Sequence, residues 1–217
     1  MSVDAHPEQL LQRLAGAGIA HATGNDRHAA PGAPALCAAL LGALLPTPAE
    51  TLDVLDAGCG EGACGSLLQP YARELTGVDR APARLAVARE RGGYDALQEA
   101  ELTAWLAGHP ATYDLVVAAD VLRHFGDLHG VLRAAATALR PFGQLLFTVQ
   151  EAPGASVTRY LLQPNGRYSH AEAHVRGALD AAGFTVAVVS RITLGTQQQG
   201  QQLQRGGLLV AAFRRSA

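Results

Sequence analysis

The sequence predicts a doubly wound α/β domain on a mostly parallel sheet, and three observations carry that prediction. From residue 52 onward apolar runs alternate with helically spaced segments, and the runs are near-continuous, as in Leu115-Val116-Val117-Ala118-Ala119. The first of them ends in the glycine-rich turn Asp56-Ala-Gly58-Cys-Gly60-Glu-Gly62. Strands buried on both faces need no polar alternation, and alternating β and α units place helices on both sides of a parallel sheet. At 217 residues the chain suits one such domain, burying roughly 70% of the surface its unfolded form would expose.

Each element has its own signal. Leu10, Leu11, Leu14, Ala17 and Ala20 recur at helical spacing over residues 7–20, predicting an N-terminal extension, residues 1–21, that is either a lid over an apolar cleft or a surface helix. The main domain is then 22–217. Gly24, Asn25, Pro31, Gly32 and Pro34 mark a loop over 22–34, and the Ala- and Leu-rich stretch 35–45 suits a buried helix ended by Pro46 and Pro48. Strands are expected near 52–57, 74–78, 94–98, 114–119 and 143–149, with helices near 63–72, 82–91, 101–107 and 127–139 between them. The end breaks the pattern: a helix near 170–182, stopped by Gly183, leads to strands near 184–194 and 207–214. Only a polar loop holding Gln197, Gln198, Gln199, Gln201, Gln202 and Gln204 joins these strands, so they must pair antiparallel.

Composition excludes several function classes. Hydrophobic residues make up 48% and charged residues 17%, and no apolar run reaches the ~20 residues of a membrane-spanning helix. Met1 to Glu8 carry no basic stretch ahead of an apolar core, so a cytoplasmic protein without a secretory signal or membrane partner is expected. All 17 basic residues are arginine, which removes lysine Schiff-base chemistry. A formal charge of −2 with scattered arginines offers no stripe for a phosphate backbone, so no nucleic-acid partner is expected. Cys37, Cys59 and Cys64 form an odd set without a C-x-x-C pair and read as small packing residues. His170 and His174 lie one helical turn apart but lack H-E-x-x-H order and an evident third ligand, so no metal is expected.

The glycine turn carries the chemistry. Gly58, Gly60 and Gly62 let the backbone turn sharply and a ligand approach its N–H groups, with the positive end of the following helix behind them. Gly58, Gly60 and Ala63 also satisfy the dinucleotide pattern G-x-G-x-x-G/A, so the turn alone serves two cofactor classes. Asp79, 19 residues after Gly60, ends the second strand, where a carboxylate accepts from both ribose hydroxyls; this also suits NAD, and a helix cap before Pro82 is the plain alternative. In Tyr94-Asp95-Ala96-Leu97-Gln98-Glu99-Ala100-Glu101-Leu102, Glu99 is positioned for an adenine amino group and Leu102 for the ring, unless the acids merely open the next helix. The fourth strand ends at Asp120, beside the first, where open α/β sheets bind ligands. Asp120 can orient an ammonium or a substrate, and His124 is either a general base or a structural histidine.

These segments resemble class I S-adenosylmethionine-dependent methyltransferases from about Ala22 to Ala217. Leu75-Thr-Gly-Val-Asp79, the 94–102 stretch, Ala118-Ala-Asp-Val-Leu122 and Gly166-Arg-Tyr-Ser-His170 are similar to a bacterial group often carrying tetratricopeptide repeats, although no period of about 34 residues appears here. The resemblance implies a seven-stranded Rossmann-like sheet with a reversed last strand and S-adenosylmethionine as cofactor. It places Asp56, Gly58, Cys59 and Gly60 at the methionine portion, Asp79 and Arg80 at the ribose, Glu99, Ala100, Glu101 and Leu102 at the adenine, and Ala119 and Asp120 at the amino-acid end. Phe142 stands where the family usually has glycine.

Methyl transfer to an O, N or S nucleophile of a small molecule is the expected activity. His124 is the candidate base, with His170 and Tyr168 behind it. The segment 156–170 reads as a substrate-recognition loop, in which Arg159 or Arg167 could bind a carboxylate of the acceptor. An NAD-dependent oxidoreductase and a cofactor-binding protein without catalysis are the alternatives.

Overall fold

The computed structural model describes residues 32–45, 47–154, 159–198 and 201–216. The helix expected over 7–20 lies outside them. In chain order the elements are α1 (Ala33–Leu44), β1 (Leu52–Ala57), α2 (Gly65–Leu68), β2 (Ala72–Asp79), α3 (Pro82–Arg91), β3 (Ala96–Glu99), α4 (Leu102–Gly108) and β4 (Tyr113–Ala118). They continue with α5 (His129–Ala138), β5 (Leu139–Glu151), β6 (Tyr160–Leu162), β7 (Tyr168–His170), α6 (Glu172–Ala181), β8 (Phe184–Gln198) and β9 (Gln201–Arg214).

Strands β3, β2, β1, β4 and β5 lie side by side and parallel, and β9 runs antiparallel to β5 and to β8 beyond it. Seven strands therefore make the expected sheet with its reversed last strand. The pleat sorts their side chains onto two cores. Leu55, Val116, Ala118, Leu145, Phe147 and Val149 face α4, α5 and α6, while their neighbours Val54, Leu115, Val117 and Leu146 face α1 and α2. Each strand had to be apolar at consecutive positions because both faces are covered.

The sheet also contains a hairpin that the sequence reading missed. β6 pairs antiparallel with β7, and β7 pairs parallel with β5 through Gln150↔Ser169 and Glu151↔His170. β9 already holds one edge of β5 through Gln150, so β7 takes the edge that β4 leaves after Ala118. Much of the expected 156–170 loop is thus strand, standing over the carboxyl end of β4, and the helix expected from 170 begins at Glu172. Three-residue strands carry almost no periodic signal.

Two other differences have physical causes. The expected 63–72 helix is one α-turn, Gly65–Leu68, followed by a 3-10 turn at Gln69–Tyr71, because Pro70 removes an N–H and limits continuation. The described glutamines of the expected loop are strand: Gln197↔Gln202 and Gln198↔Gln201 extend the β8–β9 ladder, whose backbone hydrogen bonds are indifferent to polar side chains. Phe142 has φ +64, a left-handed conformation that explains why glycine is usual at that turn, and its side chain is exposed.

Candidate active site

The carboxyl ends of β1 to β4 open into a cleft of about 270 Å³. Gly58, Asp79, Arg80, Ala100, Glu101, Leu102, Asp120 and His124 line it, so the sequence reading found most of its wall. Val78, Ala81, Arg84, Val121, Arg123 and Phe125 complete the wall without having been singled out as site residues, since none has a motif of its own.

The glycine turn is held from below. Gly58 N and Cys59 N both donate to Val78 O, at 2.8 and 3.0 Å, and Gly60 N donates to Asp79 Oδ2 at 3.0 Å. These amides are committed within the protein, and the four-residue α2 has little dipole to offer, which corrects the expectation of an open N–H cradle. Gly58 has φ +74, and a Cβ there would stand 2.4 Å from Val121 Cγ2, so a side chain is excluded by both backbone and space. Asp79 is tied at its other oxygen by Ala81 N at 2.9 Å, which fixes the carboxylate at the tip of β2 with lone pairs left toward the cleft. Arg84 reaches over Gly60 and lies 4.0 Å from Asp79.

Asp56 and Cys59 sit beneath the turn and do not line the cleft. The Asp56 carboxylate is buried and accepts from the Tyr94 hydroxyl at 2.6 Å. Burial pushes its pKa up to about 6, against the opposing hydrogen bonds of Tyr94 and Cys64. Burial likewise raises the Cys59 thiol to about 12, in keeping with a packing role, and Cys37 and Cys64 are also buried and free. At the β3 side, Glu99 is exposed and outside the cleft wall. Glu101 caps α4, accepting from Thr103 N at 2.9 Å and Ala104 N at 2.7 Å, and it also lines the cleft.

At the β4 tip, Asp120 takes a left-handed turn, φ +68, with its N–H on Thr148 Oγ1 at 3.2 Å, and its carboxylate pairs with Arg123 at 2.8 Å. Burial raises Asp120 and lowers Arg123. The pair also borders a second cavity of about 240 Å³ lined by Gly32, Ala33, Pro34, Leu194 and Gly195. Ala119 lies behind this wall, packed against the α1 side of the core.

His124 lies at the cleft rim, and Arg167, just before β7, donates to its Nε2 at 3.0 Å. That bond puts the proton of the neutral ring on Nδ1. Partial burial, then the charges of Arg167, Arg123, Arg80 and Arg84, hold the His124 pKa below its ordinary value. His170 is fully buried; its Nε2 donates to Phe125 O at 2.8 Å and shares Gly126 O at 3.2 Å. It pins the cleft-wall backbone and is outside the cleft, which corrects its expected role as a base. Tyr168 packs edge-on against Tyr160, the two rings closing around Gly126. Arg159 faces Asp127 at 3.7 Å, so only Arg167 of the two expected anion-binding arginines reaches the cleft rim.

A family model described as a methyltransferase domain matches residues 27–189. The chain belongs to this methyltransferase family. Among curated relatives, the chain is 37% identical over 105 residues to a ubiquinone biosynthesis O-methyltransferase of Methylocella silvestris, covering 47% of this chain and 41% of that protein. It is 30% identical over 155 residues to the protein of that name from Aeromonas salmonicida, covering 64% and 65%. Matches of this kind span from 40% to 65% of the relatives' length. Its fold superposes on a Burkholderia thailandensis 1,6-didemethyltoxoflavin-N1-methyltransferase, crystallised with its substrate and S-adenosylhomocysteine, with TM-score 0.65, 25% identity and coverage of 85% and 79%. No helix among the described residues is long and apolar enough to cross a membrane.

Proposed function

We propose that this methyltransferase moves the methyl group of S-adenosylmethionine to an O, N or S nucleophile on a small molecule. The observation that carries this reading is one continuous cleft wall, running from Ala100 and Leu102 through Asp79 and Gly58 to Asp120, in a chain of the methyltransferase family. Leu102 and Ala100 would hold the adenine, Asp79 would accept from the ribose hydroxyls, and Gly58 and Asp120 would border the methionine arm. The committed amides of Gly58, Cys59 and Gly60 favour this over a dinucleotide, whose pyrophosphate needs free N–H groups.

The reaction is in-line displacement. The acceptor's lone pair forms a bond to the methyl carbon, the C–S pair returns to sulfur, and S-adenosylhomocysteine leaves as a neutral thioether. Alignment supplies much of the acceleration, several of the roughly 7–11 kcal/mol available from positioning. Where the acceptor carries a proton, His124 takes it at Nε2 as Arg167 gives way. The names of the relatives, ubiquinone biosynthesis O-methyltransferases and a 1,6-didemethyltoxoflavin-N1-methyltransferase, favour an oxygen or nitrogen acceptor. A carboxylate on that acceptor would meet Arg167.

Calorimetry tests the cofactor site. Asp79→Ala removes charge-assisted bonds worth about 1.5–3 kcal/mol, so affinity for S-adenosylhomocysteine should fall roughly 10–150-fold. An unchanged dissociation constant, or thermal stabilisation of the wild type by NAD alone, would overturn the reading.

A further inference from the structure

The segment after the cleft wall and helix α6 bring together three side chains that methyl transfer does not use. Asp127 and His129 stand at the start of α5 and His174 on α6, and one ligand atom from each lies within 4.8 Å of the other two. His129 Nδ1 is 2.6 Å from Asp127 Oδ1, and the rings of His129 and His174 are 5.5 Å apart. His174 is only 7% exposed, and its Nε2 is buried without a hydrogen-bond partner. An imidazole with a buried, unpartnered nitrogen, grouped with a carboxylate and a second imidazole, points to a missing occupant.

We propose that Asp127, His129 and His174 form a binding site for a divalent transition-metal ion, with zinc the best fit. Two imidazoles and one carboxylate are the donor set of open zinc and related first-row sites, whereas calcium and magnesium prefer all-oxygen shells. Ligand atoms about 2.0–2.2 Å from one tetrahedral zinc stand about 3.3–3.6 Å apart, within reach of small side-chain rotations from the present spacing. The side chains of Asp127 and His129 are 48% and 38% exposed and free to make them. Asp127 Oδ1 also accepts from His129 N at 3.0 Å, which anchors the carboxylate to the first turn of α5. Arg159 near Asp127 is exposed and can turn to solvent as the ion enters.

The one-turn spacing of His170 and His174 lacks an evident third ligand, and no metal is expected from it; the fold brings a different set together. The Nε2–H of His170 is spent on the Phe125 and Gly126 carbonyls, and His174 finds its partners across the α5–α6 contact. An ion there would clamp α6 to the segment following Phe125, one wall of the cleft. The site is independent of the methyl-transfer reading, because its test reads metal and not turnover.

The test uses the full chain without an affinity tag, stripped by a chelator and titrated with cobalt(II) and zinc(II). One equivalent of cobalt should produce the intense visible bands of a low-coordinate site without a thiolate charge-transfer band, and zinc should displace it and raise the melting temperature. Asp127→Asn keeps an oxygen acceptor for His129 N, and His129→Ala alters a partly exposed side chain. Each should weaken cobalt binding at least about tenfold. Equal titration of the wild type and both variants, a thiolate band implicating Cys37, Cys59 or Cys64, or no bound cobalt would each overturn the proposal.

Discussion

Asp56 is a carboxylate placed where water does not reach, and its environment gives it a measurable signature. In the unfolded chain an aspartate titrates near 3.8, and in the fold burial raises Asp56 to about 6. The folded state therefore binds the proton more tightly. The stability this confers is fully present below about pH 4 and is lost as pH rises to about 6, staying flat above. Two units correspond to about 3 kcal/mol at 1.36 kcal/mol per unit. Asp56→Asn keeps an acceptor for Tyr94 but cannot ionise, so its stability relative to the wild type should improve by about that amount between pH 4 and 7. Urea melts at several pH values check it, and a pH-independent difference would place the strain elsewhere.

The β6–β7 hairpin is the element that stands beside the cleft rim. Its position follows from edge availability on β5, and it delivers Arg167 to His124 and His170 to the Phe125–Gly126 carbonyls. Burial lowers the His124 pKa and the arginines, Arg167 first, lower it further, keeping the ring neutral at neutral pH. Arg167→Ala removes one of those charges, so the imidazole binds a proton at higher pH. The acid limb of the kcat/KM profile should move upward toward the ordinary histidine value, while affinity for S-adenosylhomocysteine stays within about twofold. An unmoved acid limb would remove His124 from the reaction.

Across the whole molecule, the end of the sheet opposite the cleft is stitched by charge. Arg140 at the start of β5 reaches Asp53 on β1 and Asp114 on β4, both at 2.8 Å, and Arg73 of β2 reaches Asp53 at 2.5 Å. Burial alone would raise the Asp53 carboxyl, but hydrogen bonds from Arg73 and Arg140 bring it below its usual range. Because these arginines are substantially exposed, solvent screening discounts the pairing. Arg140→Ala should cost about 1–2 kcal/mol in denaturant melts, through two carboxylates left at the sheet end, with cofactor affinity unchanged. A loss of cofactor affinity would mean that the two ends of the sheet are coupled.

Local pattern by itself determined the alternating architecture, the terminal antiparallel pair and the positions of Gly58, Asp79, Leu102, Asp120 and His124. Consecutive apolar residues mark strands covered on both faces, and in a parallel sheet every strand's carboxyl end reaches the same edge, so residues just after strands become site residues. Contacts between segments distant in sequence decided the rest. That Asp56 answers to Tyr94 rather than to the cleft, that Asp79 secures Gly60, and that His170 is a pin depends on partners 38, 19 and 45 residues away. The hairpin and the Asp127–His129–His174 cluster belong with these: a three-residue strand or a single buried nitrogen leaves no period in a sequence, and only packing determines what it faces.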